Sequence, residues 1–406
     1  MLDQYPTLSM FEARAREIVP PDALAYATGG AASEATLDRN RWALQHLAIE
    51  QRVLMGVKAI DTTTSFLGLT LPTPIIVSPM GGMYRFHPEG DVEMARGATR
   101  DGGLSVVAGG APGLDKVAAA ASGPLIFQLY WLGDREWVAD KLRTVHAAGF
   151  KAFCLTVDAA AYSRRERDIL LNMPLRRAAA ALPDTQSSLT WDDVDWVKAQ
   201  IPQPFGLKGI MTAQDAELAL DHRVDFLWVS NHGGRQLDDG RATIDALTEI
   251  ADVVNGRVPL VVDSGFRRGT DAIKALALGA TLVAFGRTAL WGLAVGGADG
   301  VQSVLRLLNE ELVINMKLAG QRSTSLLSPR VIRRIDGSGF AINVPVSQRT
   351  SPEGSLMSQL SASQRAAVQQ ISDDAGLSEI DKMWSITEAV LGAAPSAPAP
   401  TDRTSE

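Results

Sequence analysis

Between about Pro72 and Leu318, short apolar runs alternate with longer stretches of helical period, which is how repeated strand–helix units read. Eight runs qualify as strands: Ile75 to Ser78, Leu104 to Ala108, Leu125 to Leu129, Ala152 to Val157, Phe205 to Lys208, Phe226 to Ser230, Leu260 to Asp263 and Leu282 to Phe285. Their near-continuous apolar character suits strands buried on both faces, as in a parallel sheet. Amphipathic segments lie between them. Two of these, Arg135 to Ala148 and Thr270 to Leu278, are followed directly by glycines suited to ending a helix, Gly149 and Gly279. Eight such units predict closure into a (β/α)8 TIM barrel of the α/β class. The competing open, doubly wound sheet loses support because no Gly-x-Gly-x-x-Gly follows the first strand.

The flanks read differently. Residues 1–71 predict a helical cap followed by an irregular segment, with Phe11 to Ile18 and Thr36 to Leu47 the clearest helices. The barrel takes residues 72–330, and residues 331–406 form a C-terminal extension. Within that extension Ser361 to Ile371 and Ile380 to Leu391 suit helices, whereas Ala393 to Glu406, rich in Ala, Pro, Ser and charge, reads as disordered.

Composition narrows the partners. With 39 basic against 46 acidic residues, the net charge is −7 and the basic residues are scattered, so no nucleic-acid partner is expected. The chain opens Met1-Leu2-Asp3-Gln4-Tyr5 and has no apolar run long enough to span a bilayer, so no membrane partner is expected. The single cysteine, Cys154, lies in an apolar stretch, which predicts an inert buried thiol in a reducing cytoplasm. No metal site is expected.

Barrel enzymes place their chemistry at the carboxyl ends of the strands, with phosphate in the loops after strands seven and eight. Polar residues gather at five consecutive ends: Asp158 with Arg164 and Arg165 after strand four, Lys208 on strand five, Ser230 to Arg235 after strand six, Asp263 to Arg267 after strand seven, and Gly286 with Arg287 after strand eight. Charged residues often begin loops simply because loops are wet; five successive ends weaken that explanation. Gly265 with Arg267 and Gly286 with Arg287 predict a phosphate cradle. The alternative is that these arginines pair with surface carboxylates. His232 suits a general base if Asp158 holds its ring, and Arg235 with Arg165 offers guanidinium forks suited to a carboxylate. A base beside a carboxylate clamp describes the deprotonation or oxidation of a hydroxy acid.

These residues resemble the FMN-dependent 2-hydroxy-acid oxidase and dehydrogenase family, which includes glycolate oxidase, lactate oxidase, lactate monooxygenase and mandelate dehydrogenase. The resemblance covers nearly all of residues 8–330 and is most specific at Ser230-Asn231-His232-Gly233-Gly234-Arg235-Gln236-Leu237-Asp238, Asp263-Ser264-Gly265-Phe266-Arg267-Arg268-Gly269-Thr270-Asp271 and Phe127-Gln128-Leu129-Tyr130. It implies oxidation of an L-2-hydroxy acid to the 2-oxo acid, with bound FMN passing electrons to oxygen or another acceptor. It implies His232 as the base, partnered by Asp158, and Arg235, Arg165, Tyr26 and Tyr130 as the substrate site. For FMN it implies Gln128, Thr156 and Lys208 at the ring, Pro79, Met80 and Gly81 alongside it, Ser230 and Asp263 at ring and ribityl, and Gly265, Arg267, Gly286 and Arg287 at the phosphate. A homo-oligomer, with a tetramer one possibility, is the corresponding expectation.

The departures carry expectations too. The stretch Val107-Ala108-Gly109-Gly110-Ala111-Pro112-Gly113 lacks the serines usual in the family, which puts one flavin-contacting hydroxyl in question. Gly81 stands where glycolate oxidase has alanine, implying a substrate larger than glycolate or altered oxygen reactivity. The stretch between Asp168 and Trp191 lacks the long apolar insertion of membrane-bound mandelate dehydrogenases, and no haem domain is expected. Two alternatives stand beside this reading: another FMN- or phosphate-binding barrel enzyme, such as an isomerase or a nucleotide dehydrogenase, and a non-catalytic flavin-binding protein.

Overall fold

The computed structural model describes residues 1–108, 113–171 and 185–335. Eight parallel strands close into a barrel in chain order: Ile75–Val77, Ser105–Ala108, Leu125–Leu129, Ala152–Thr156, Phe205–Ile210, Phe226–Val229, Leu260–Val262 and Leu282–Phe285. The last pairs with the first, Val283 to Ile75 and Phe285 to Val77. Each strand lies on the segment predicted for it, because an apolar run bounded by turn residues has few other ways to bury both faces.

Alternation divides each strand's side chains between two environments. Outward-facing Val77, Phe127, Phe153, Leu207, Val229 and Val262 pack against the surrounding helices in the large core. Inward-facing Ile76, Val106, Ile126, Cys154, Trp228 and Val261 form a separate cluster filling the lower lumen. A hairpin, Thr64–Phe66 paired with Leu69–Leu71, inserts Phe66 and Leu71 into that cluster and closes its amino end. Phe66 meets Phe226 edge-on at 5.4 Å between ring centroids. Burying each such side chain stabilises the barrel by ~1.5–3 kcal/mol. Cys154 sits in this apolar lumen, and burial pushes its thiol up to about 12, where it stays protonated and inert.

Local signals start the outer helices. Asp134 caps Arg135–Ala147 by accepting from the Trp137 amide at 2.8 Å, and Thr190 with Asp193 forms a capping box on Trp191–Ala199. Helix Arg287–Leu318 is interrupted at Gly296 and Gly297, where the second glycine takes a φ of 55°. On its near side, a Cβ on Gly97 would come within 2.4 Å of the Ala298 carbonyl, so the approach of helix Gly90–Thr99 requires glycine.

The N-terminal residues contain three helices, Leu8–Ile18, Pro21–Thr28 and Ala35–Gln45. The first packs Phe11 and Ala15 against the barrel's last helix. The third is shorter than the predicted Thr36 to Leu47, because Leu47–Ile49 leaves the helix to pair antiparallel with Ile332–Arg334. That pairing spans nearly 300 residues of chain and leaves no local trace. The predicted helices and disordered tail of the C-terminal extension, and Gly109 to Pro112 after strand two, lie outside the described residues.

Candidate active site

Two residues above the apolar lumen, the inward positions turn polar: Ser78, Gln128, Thr156, Lys208, Ser230 and Asp263, all buried. They bond to one another. Gln128 Nε2 donates to Thr156 Oγ1 at 2.8 Å, and Lys208 Nζ donates to Ser230 Oγ at 2.9 Å. Ser230 Oγ donates in turn to Asp263 Oδ1 at 2.6 Å, while Lys208 Nζ stands 3.7 Å from Asp263 Oδ2. Burial alone would lower the Lys208 pKa, but Asp263 and Asp158 outweigh it and hold the ammonium above its usual value. A fixed cation therefore stands in the barrel floor.

His232 follows strand six on a left-handed turn, with φ of 59°, 69° and 76° at His232, Gly233 and Gly234. For a histidine this conformation costs ~1–3 kcal/mol, and it is held by the bond from its own amide to Ser230 Oγ at 3.1 Å. The ring is fixed at both nitrogens, Nδ1 lying 3.0 Å from Asp158 Oδ1 and Nε2 3.1 Å from the Tyr130 hydroxyl. Burial works against the Asp158 charge, but the His232 ring and Lys208 outweigh it and hold the carboxyl below its ordinary value. An ionised Asp158 makes Nδ1 the donor, leaving Nε2 as a lone-pair acceptor beside Tyr130. Burial also lowers the His232 pKa, with Lys208 adding to it against the pull of Asp158, so the ring is neutral and can take a proton.

Above His232 two guanidiniums converge. Arg235 Nη1 donates to the carbonyls of Tyr26 and Gly29, and its guanidinium lies 4.6 Å from the centre of the Tyr26 ring. Arg165 Nε donates to Ser163 Oγ at 3.1 Å and to the Arg235 carbonyl at 3.2 Å. Burial and the neighbouring Arg235 charge lower the Arg165 pKa. Two like charges held side by side favour an anion between them. The Tyr26 hydroxyl donates to the Gly81 carbonyl at 3.1 Å, bringing the N-terminal helix to the first strand's end.

A second anion-seeking region lies after strands seven and eight. Among the described residues Arg287 donates only to backbone carbonyls, including Nε to Ala27 at 2.6 Å and Nη2 to Gly29 at 3.0 Å. Burial, then the charges of Arg235 and Arg267, push its pKa down to about 9. Among the described residues neither Arg267 nor Arg287 forms an ion pair with a carboxylate. Gly265 takes a φ of 88°, and a Cβ there would come within 2.8 Å of Asn40. At Gly286 a Cβ would meet Met80 Sδ at an ordinary 3.5 Å.

These groups surround one cavity of about 880 Å³ over the carboxyl ends of the strands, a size suited to a cofactor together with a small substrate. Tyr26, Pro79, Met80, Gly81, Gln128 and Tyr130 line it, as do Thr156, Arg165, Lys208, His232, Arg235 and Asp263. Gly265, Arg267, Gly286 and Arg287 complete the wall. Of the residues expected to contact substrate or flavin or to act as base and partner, Asp158 and Ser230 stand behind it, each bonded to a residue that reaches it. Among the described residues no cluster of His, Cys, Asp or Glu could hold a metal ion.

Sequence reasoning missed the residues that hold this arrangement from outside. Asn40 and Asn231 exchange amide hydrogen bonds of 2.9 and 2.8 Å, pinning helix Ala35–Gln45 to the His232 turn. Arg41 donates to the Gly265 carbonyl at 2.5 Å and to Asp271 at 2.8 Å. At Gly209, φ is 117° in a bulge of strand five, and a Cβ would lie 2.6 Å from that of Asp158. A glycine beside a strand-end lysine was the available signal for that bulge; nothing local marked Asn40.

A family model described as FMN-dependent dehydrogenase matches residues 15–334. A peroxisomal (S)-2-hydroxy-acid oxidase of Oryza sativa subsp. japonica is 40% identical over 337 residues, covering 77% of this chain and 92% of that protein. An L-lactate oxidase of a Nostoc species is 39% identical over 339 residues, covering 76% and 93%. The solved structure of a mandelate oxidase variant with (S)-mandelic acid matches with a TM-score of 0.75 and 36% identity, covering 80% of this chain and 97% of that one.

Proposed function

The chain belongs to the FMN-dependent dehydrogenase family, and from that premise we propose that it oxidises an L-2-hydroxy acid to the 2-oxo acid, with electrons passed to oxygen or another acceptor. The observation that carries this reading is His232, neutral and oriented by Asp158, standing beside paired guanidiniums that form no ion pair with a carboxylate among the described residues.

The residues present fit FMN. Arg267 and Arg287, with the backbone at Gly265 and Gly286, would hold its phosphate, where neither guanidinium forms an ion pair with a carboxylate among the described residues. Gln128 and Thr156 would bond the ring edge, and Pro79, Met80 and Gly81 would run along it. Ser230 and Asp263 would serve ring and ribityl. Bound there, FMN would take up the two electrons that leave the substrate's α-carbon. Lys208 would stabilise the negative charge gained on reduction, in a floor too buried for water to do so.

Arg235 and Arg165 would bind the substrate carboxylate through Nη2 atoms that carry no hydrogen bond among the described residues. Tyr26 and Tyr130 would border the hydroxyl. His232 Nε2 would receive the substrate proton, and Asp158 would stabilise the imidazolium that results. A methyl at position 81 would stand 3.8 Å from the Tyr26 hydroxyl, so glycine leaves room there, consistent with an acid larger than glycolate. We further infer a cytoplasmic homo-oligomer whose partners are small 2-hydroxy acids; light scattering of the purified protein tests the assembly and whether it is a tetramer. No helix among the described residues is long and apolar enough to cross a membrane.

The test is an anaerobic visible spectrum recorded before and after addition of L-2-hydroxy acids from glycolate and lactate to mandelate. Bleaching of the flavin band is expected, fastest with the larger acids. A flavin spectrum that no acid bleaches would overturn the reaction, and glycolate turnover equal to that of mandelate would overturn the size preference.

A further inference from the structure

The loop after strand four carries a third tyrosine beside the clamp. The Tyr162 ring lies 4.6 Å from the Arg165 guanidinium, and its hydroxyl is within 3.4 Å of Arg165 Nη1. The same hydroxyl donates to Asp168 Oδ2 at 3.1 Å. Asp168 is 2% exposed, in the first turn of helix Glu166–Leu170.

A carboxylate bonded directly to Arg165 would occupy the fork that a substrate needs and cancel its charge. A phenol in between does neither. Because its proton is committed to Asp168, the Tyr162 oxygen turns a lone pair to Arg165, engaging Nη1 and leaving Nη2 without a hydrogen bond among the described residues. Arg235 is arranged alike, with Nη1 tied to carbonyls and, among the described residues, no bond on Nη2. Arg165, though, sits on a loop, and Arg235 repels it.

We propose that Tyr162, backed by Asp168, is a positioning residue that holds Arg165 in its carboxylate-binding orientation against repulsion from Arg235. This rests on the 2-hydroxy-acid reading of the site. Tyr162 acts on binding of the carboxylate and not on proton removal, so its loss falls on KM and not on kcat.

The test uses the flavin-loaded protein and two readouts: steady-state turnover of the best L-2-hydroxy acid, and calorimetric binding of oxalate, a carboxylate with no C–H to oxidise. Tyr162→Phe keeps the ring and removes the bridge. It is expected to raise both KM and the oxalate Kd about three- to tenfold, the span of one hydrogen bond, with kcat essentially unchanged. Asp168→Asn still accepts from the phenol and should stay close to wild type, whereas Asp168→Ala should match Tyr162→Phe. Equal oxalate affinity in wild type and Tyr162→Phe, or a loss confined to kcat, would overturn this inference alone. Wild-type protein that neither binds oxalate nor oxidises any acid would overturn the functional reading, and this inference with it.

Discussion

The lower and upper halves of the barrel lumen are built by the same strands and differ completely in chemistry. On strand three Ile126 is followed two residues later by Gln128, on strand four Cys154 by Thr156, on strand six Trp228 by Ser230, and on strand seven Val261 by Asp263. Two residues return a strand's side chain to the same face, so each strand changes from filler to functional group in a single step. The apolar half excludes water beneath Lys208 and Asp263, and that exclusion strengthens their interaction. Stability and chemistry are thus stacked along one axis, which makes them separable by mutation.

The largest expected effect isolates the upper half. His232→Ala should lower the rate of flavin reduction by substrate ~10²–10⁴-fold while leaving the yellow colour and the urea midpoint close to wild type. Stopped-flow reduction checks the first and equilibrium unfolding the second; an unchanged rate would exclude His232 as the base. The converse experiment is Trp228→Ala in the lower half, expected to cost about 3–5 kcal/mol of stability through the cavity it leaves. If unfolding shows no such loss, the lower lumen is not the packed plug described above.

A smaller effect sharpens the boundary between the halves. Because burial and Lys208 hold His232 below its ordinary 6.5, the free base persists through neutral pH. It is lost only as pH falls through that lowered value. A profile of kcat/KM from about pH 5 to 8 should be flat at the upper end and decline toward acid, with the inflection below 6.5. An inflection above that value would mean that the Asp158 charge outweighs burial.

The strands and their polar ends were legible in the sequence because both are local: a buried strand is an apolar run, and its end is marked by the polar residue that stops the run. Gly265, Gly286 and their arginines could be placed for the same reason. The supports were not legible. Asn40 looks like any polar residue on an amphipathic helix, and its partner Asn231 lies 191 positions away. Tyr162 follows three alanines in a loop, where neither periodicity nor charge suggests that it touches Arg165. The break at Gly296 and Gly297 within the last helix is likewise decided by what packs there.

The amide pair between Asn40 and Asn231 also sets an order of events. Helix Ala35–Gln45 leaves the ribosome early but cannot engage the His232 turn until nearly two hundred further residues have been made and strand six is in place. Contacts of such separation form late and slow folding. During synthesis the faces of Phe11, Ala43 and Leu44 that end up buried therefore stay uncovered until the segments that pack on them have been made.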